Sequence, residues 1–115
     1  MNMGYWYHPE IEEDTIGVIM DYTDEHWDEK LKIEFANGES YIATFFAAYE
    51  SENTGELDID EDDPRYDQFY VVSFTITDVL QDGARRYKDA LPIDYRDFPT
   101  RITNADTGHI IYEAK

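Results

Sequence analysis

Apolar and polar residues alternate most cleanly over residues 30–35, where Leu31, Ile33 and Phe35 interleave with Lys30, Lys32 and Glu34. That is the period of a half-buried strand. Asn37-Gly38 follows, and both residue types accept positive φ, so a two-residue type I′ turn is predicted, with Ile33 facing Ile42 and Leu31 facing Thr44 across the hairpin. The returning strand, residues 39–49, is apolar on both faces, with Ile42, Phe46 and Ala48 on one and Tyr41, Ala43, Phe45 and Ala47 on the other. Such a strand is expected where a sheet bends sharply, or where something covers its second face.

Upstream, residues 15–22 are apolar and largely β-favourable and are predicted as a strand, with Gly17 marking a bulge or a close backbone approach. Residues 50–68 read as loop: Asn53, Gly55 and Pro64 sit among carboxylates, and only Leu57 and Ile59 interrupt them. Alternation resumes over 69–76, with Tyr70, Val72, Phe74 and Ile76 on one face. Asp82-Gly83 breaks the chain, residues 84–90 suit a helical turn, and Pro92 and Pro99 fence off a segment with no clear pattern. Residues 100–103 and 109–113 flank a loop whose Gly108 is placed for a type I turn with a G1 bulge, which predicts a terminal hairpin. The expected fold is mostly β: a small, strongly bent antiparallel sheet or barrel, with a C-terminal hairpin and at most one short helix. With no repeat and no linker, residues 1–115 are expected to form a single domain.

From Leu31 to Thr77 the chain resembles the small SH3-like or Sm-like barrels found among uncharacterised bacterial proteins. The likeness rests on Leu-Lys-Ile-Glu-Phe followed by Asn37-Gly38, the long strand ending at Tyr49, the acidic excursion over 51–67, and residues 69–76. It implies a fold and carries over no functional residue.

Charge changes the picture most. The chain has 27 acidic and 9 basic side chains, a formal net charge of −18. Residues 1–83 hold 22 of the acids and only Lys30, Lys32 and Arg65, a net −19, whereas residues 84–115 come to +1. Such a field repels nucleic acid and anionic lipid, whose partners neutralise phosphate with Lys and Arg. A basic protein surface is the natural complement. The absence of cysteine excludes disulfides, thiolate metal sites and cysteine nucleophiles, and favours a cytoplasmic address. No apolar run is long enough to span a membrane, and no cofactor is implied.

Chemical motifs are sparse. Asp58, Asp60 and Asp62 open like a calcium loop, but Asp63 stands where that loop needs Gly and Phe69 where it needs a bidentate Glu. A solvated acidic loop is the plainer reading. His8, His26 and His109 show no ligand spacing, and no nucleophile elbow, phosphate loop or dinucleotide fingerprint occurs. Arg85, Arg86 and Lys88 form the one basic cluster, read as internal charge balance more readily than as a phosphate contact. Tyr5, Trp6 and Tyr7 suit either an exposed anchor or a terminal strand packed over the second hairpin strand, and Trp27 poses the same choice.

Two functions follow. The first is a non-catalytic acidic binding module of inhibitor, immunity or nucleic-acid-mimic type, docking on a basic partner through Asp58, Asp60, Glu61, Asp62, Asp63 and Asp67, with Tyr5, Trp6 and Trp27 as apolar anchors. The alternative is a small metal-dependent enzyme built on the histidines, or an accessory domain whose acidity serves only solubility. The sequence fixes no oligomeric state.

Overall fold

The computed structural model describes residues 6–83 and 89–114. Tyr5, the basic cluster Arg85, Arg86 and Lys88, and most of the helical turn expected over 84–90 lie outside the described residues.

Pro9 opens the first helix, α1 (Pro9–Asp14), at a position where its missing N–H costs nothing. Thr15 ends it, donating its hydroxyl to the Ile11 carbonyl, and a second helix, α2 (Ile16–Glu25), starts at once. The strand expected over 15–22 is therefore a helix. Its buried side chains, Ile16, Ile19, Met20 and Thr23, fall at the i, i+3, i+4, i+7 spacing of one helical face, and Gly17 is buried beside them. A short apolar run does not distinguish the two periods, and β-branched composition weighed for the wrong one. Gly17 does mark a close approach: a Cβ there would lie 3.1 Å from the Trp6 ring and 3.3 Å from the Glu12 carbonyl oxygen.

Six strands follow: β1 (Lys30–Glu34), β2 (Ser40–Glu52), β3 (Gln68–Gln81), β4 (Ala90–Ile93), β5 (Arg101–Asn104) and β6 (Ile110–Glu113). A short helix, α3 (Thr54–Leu57), and a 3-10 turn (Tyr95–Asp97) sit in the connections. All strand pairs are antiparallel, in the order β4-β3-β2-β1-β5-β6, so the sheet is open. The fold is mostly β with the expected C-terminal hairpin, but among the described residues it carries three short helices where at most one is expected.

The first hairpin lies where Asn37-Gly38 predicts it, with a different turn. Phe35 N–H donates to the Glu39 carbonyl at 2.9 Å, and Gly38 (φ +96°) N–H donates to Phe35 at 3.0 Å. The loop therefore has three residues, a type I turn closed by a left-handed Gly. The register slips by one: Ile33 faces Tyr41 and Leu31 faces Ala43. Tyr41 and Ala43 are buried, while Ile42 is only half-buried. Register shifts between Ser40 and Tyr41, Ile42 and Ala43, and Phe45 and Ala47 bend β2 against β3. The last inserts Phe46 and shifts the alternation, so Ala48 joins Phe45 against the core instead of sharing a face with Ile42 and Phe46.

The core lies between this sheet and α2: Ile16, Ile19 and Met20 pack with Leu31, Ile33, Tyr41, Tyr70, Val72, Phe74, Leu91, Ile93 and Ile102. On β3 the face of Tyr70, Val72 and Phe74 is buried as predicted, and Ile76 packs at its margin. Phe69 and Val71 on the opposite side are buried as well. In the C-terminal hairpin, Gly108 (φ +79°) occupies the left-handed position foreseen for it, and its N–H donates to Asn104 at 2.9 Å.

Candidate docking surface

Two kinds of carboxylate occupy this molecule, and the fold sorts them. Glu12 is fully buried, with Oε1 accepting from the His8 N–H and Oε2 from the Tyr70 N–H, both at 2.8 Å. It bonds α1 to β3 and satisfies a strand N–H that no neighbouring strand reaches. Glu39 is also buried, bonded by the Tyr41 hydroxyl at 2.7 Å and by the Asn37 amide. Asp67 accepts from His8 Nε2 and from the Tyr95 hydroxyl, both at 2.5 Å, and its N–H donates to the Asn53 side chain at 2.8 Å. The Tyr95 hydroxyl is pushed up to about 12 by burial and by that bond.

The segment between β2 and β3 carries the carboxylates singled out by sequence. Asp63 receives Arg65 in a bidentate pair at 3.0 and 3.1 Å, and that pairing holds its carboxyl below the usual range. Asp63 therefore serves the loop's own structure, and Asp67 ties the loop to His8 and Tyr95. Asp58, Asp60, Glu61 and Asp62 do not: all four are exposed, and none makes a side-chain hydrogen bond or ion pair among the described residues. Asp58 adopts a left-handed conformation (φ +54°) at the end of α3, its N–H donating to the Thr54 carbonyl.

The aromatic candidates divide in the same way. Trp6 is half-buried, edge-on to Tyr70 at 5.1 Å, and Tyr7 stacks on Tyr70 at 5.3 Å. Both belong to the packing of the N-terminal segment. Trp27 is 63% exposed and borders a cavity of about 200 Å³ lined by Met20, Thr23, Asp24, Phe45 and Ala48. Phe46, at the β2 bulge, is 71% exposed.

The three histidines do not converge. His8 pairs with Asp67, whereas His26 stacks on Tyr22 at 4.3 Å and pairs with Glu29 at 2.8 Å; the His109 ring lies 6.4 Å from that of Tyr22. The Tyr22 hydroxyl bonds Glu29 and, ahead of all else, holds its carboxyl low. No group of three metal-ligating side chains occurs among the described residues. An acidic-rimmed groove of about 470 Å³ runs past this cluster, lined by Val18, Asp21, Tyr22, Glu25, His26 and Ile111.

One cluster carried no signal in the sequence. Arg96 lies 3.8 Å over the Phe69 ring, donates to Asp94 at 2.9 Å and to Glu56 at 3.0 Å, and thereby closes the outer face of β3. Its partners lie up to 40 residues away, so no local pattern points to it. Among the described residues no helix is long and apolar enough to cross a membrane. Comparison with known protein families, curated proteins and solved structures finds no match to this chain.

Proposed function

We propose that this chain is a non-catalytic docking module that recognises a basic protein surface, in the manner of small inhibitor, immunity or nucleic-acid-mimic proteins, and that it acts in the cytoplasm. The observation that carries this reading is the sorting of its acids. Carboxylates that the fold uses are buried or paired, while Asp58, Asp60, Glu61 and Asp62 stand together, exposed and unneutralised, on one loop tip. Four such charges within five residues add self-repulsion to a chain already at −18. A cationic partner relieves that repulsion on contact.

Complementary potential sets encounter rate and partner choice, and buried aromatics supply most of the holding energy. Trp27 and Phe46 are the exposed aromatics suited to that part. The same field disfavours direct contact with nucleic acid or anionic lipid. An accessory role in which acidity serves only solubility predicts no difference between this tip and any other four surface carboxylates.

The immobilised chain, exposed to native cytosol at about 0.1 M salt, is expected to retain a basic protein and release it near 1 M, as the Debye length falls from about 10 Å to about 3 Å. Retention of no basic protein at low salt contradicts the reading.

A further inference from the structure

The β2–β3 hairpin is longer than either neighbour. β1 pairs with β2 only from Ser40 to Thr44, and β4 pairs with β3 only from Val72 to Thr75. β2 therefore extends beyond β1 over 45–52, and β3 extends beyond β4 at both ends, over 68–71 and 76–81; the facing stretches 45–52 and 68–71 are treated differently. On β3 the N–H of Tyr70, beyond the end of β4, is taken by buried Glu12, and Arg96 covers Phe69.

On β2, residues 45–52 have β3 on one side and no strand on the other among the described residues. Asn53 N–H donates to the Asp67 carbonyl at 3.1 Å in the same register, which sets the parity of the ladder. Tyr49 and Ser51 thus bond to Val71 and Phe69, and the backbone groups of Ala48 and Glu50 point away from β3. Neither meets a backbone partner across that margin among the described residues.

The two outer strands of the sheet are blunted by familiar devices. β4 has four residues and contains Pro92; β6 has four residues and a register shift opposite Ile102 and Thr103. The β2 margin has a register shift at its start, between Phe45 and Ala47, but residues 47–52 then run in unbroken register with neither proline nor lysine, and Phe46 (71%), Trp27 (63%) and Tyr49 (45%) stand exposed around it.

We propose that an extended segment of a basic partner adds to β2 alongside residues 46–52 as an extra strand. The segment carries an apolar side chain and, two residues along on the same face, a Lys or Arg. The apolar group enters the cavity of about 200 Å³ between Trp27, Met20, Phe45 and Ala48, and the cation meets Asp24 at its rim or Glu50 beside it. Glu50 is already oriented by the Tyr7 hydroxyl at 2.5 Å. Charge selects a basic partner over a second copy, because a second copy brings a further −18 and sets Asp24, Glu50 and Glu52 against their own duplicates. The occupant's charge rests on the docking function proposed above; the free strand margin does not.

The probe is an eight-residue peptide repeating Ile-Thr-Lys-Thr twice, labelled for anisotropy and titrated into the full chain in a Trp6→Phe background, so that Trp27 is the sole tryptophan. Saturable binding with a blue shift of Trp27 emission is expected. Of two versions N-methylated at alternate residues, one loses about tenfold in affinity and the other binds as before, since only one set of N–H groups faces β2. Ala48→Pro, which removes an outward donor and leaves the β2–β3 ladder intact, is expected to cost about the same factor. If that variant fails to fold, the N-methylated pair still decides.

No binding of the probe, or equal binding of both methylated versions, overturns the proposal. Sedimentation that shows a dimer of the chain alone, broken by Ala48→Pro, overturns the assignment of the occupant. Partner capture from cytosol that survives Ala48→Pro and is lost on neutralising the 58–62 tip rejects strand addition and keeps the docking function. The reverse pattern rejects the docking function and keeps strand addition.

Discussion

Two overhangs of the central hairpin, residues 68–71 of β3 and 45–52 of β2, pose one physical problem and receive opposite treatments. Along β3, beyond β4, Glu12 takes up the Tyr70 N–H, Asp67 ties His8 to Tyr95, and Arg96 closes over Phe69 between Asp94 and Glu56. Along β2, beyond β1, the backbone groups of Ala48 and Glu50 face outward beside exposed Trp27 and Phe46. Sealing a strand margin stabilises the fold, because a polar group left buried without a partner costs about 1–3 kcal/mol. Leaving a margin open contributes nothing to the monomer. The contrast separates acids that hold the molecule together from surface available to a partner, and it predicts that substitutions on the two sides differ in kind.

The largest effect is expected at Glu12. Glu12→Ala strips the acceptor from two N–H groups and leaves a cavity at a fully buried site, so chemical denaturation should show a loss of about 3 kcal/mol. Arg96→Ala removes a cation over Phe69 and two carboxylate contacts at a part-exposed site, and about 1 kcal/mol should go in the same assay.

The pH profile should carry the same signature. Burial and the Asp67 bond raise Tyr95 from 10.0 to about 12, so the stability it adds is full below pH 10 and drains away as pH rises toward 12. Thermal melts across that window should show a fall that Tyr95→Phe reduces, the remainder coming from Tyr22, Tyr70 and Tyr112, whose hydroxyls burial also raises. Glu56 behaves oppositely: Arg96 lowers its carboxyl from 4.5, so its contribution is present above pH 4.5 and is lost as pH drops further. In Arg96→Ala that acid-side component should vanish from the melts.

On the open side the effects on stability shrink. If the margin is unpaired in the monomer, Phe46→Ser should change the unfolding free energy by no more than about 0.5 kcal/mol, and Ala48→Pro, at a half-buried site, by about 1 kcal/mol. Neutralising Asp58, Asp60, Glu61 and Asp62 with Asn and Gln should leave stability unchanged or raise it by about 0.5 kcal/mol, as self-repulsion falls. A large loss from the tip variant would mean that those carboxylates belong to the fold.

The legible parts of this structure are those whose causes are local. The alternation over 30–35, the turn at Asn37-Gly38, the face of Tyr70, Val72 and Phe74, and the Gly108 loop are all written within a few residues, and all appear. Helix α2 departs from the expected strand because the six apolar or β-branched residues among 15–22 satisfy both periods, and only the burial of Ile16, Ile19, Met20 and Thr23 distinguishes them. The hairpin slipped one register because Asn37 turns its side chain to Glu39 and the loop takes a third residue. Glu12 was invisible for another reason: its second partner lies 58 residues away, and nothing in a run of acids says which one will be buried. Asp63 and Asp67 looked identical to Asp58, Asp60, Glu61 and Asp62 until Arg65, His8 and Tyr95 claimed them. The exposed tip could be read from composition; its separation from the paired acids needed the tertiary contacts.

The most direct measurement compares two charge-matched variants against whichever basic protein the chain retains from cytosol. One has the 58–62 tip neutralised; the other has Glu10, Glu13, Asp78 and Asp106 neutralised instead. The tip variant should lose at least about tenfold in affinity and show a flatter salt dependence, with the control falling by less than about threefold. Equal losses in the two would reduce the negative charge to a solubility device and contradict recognition by the loop tip.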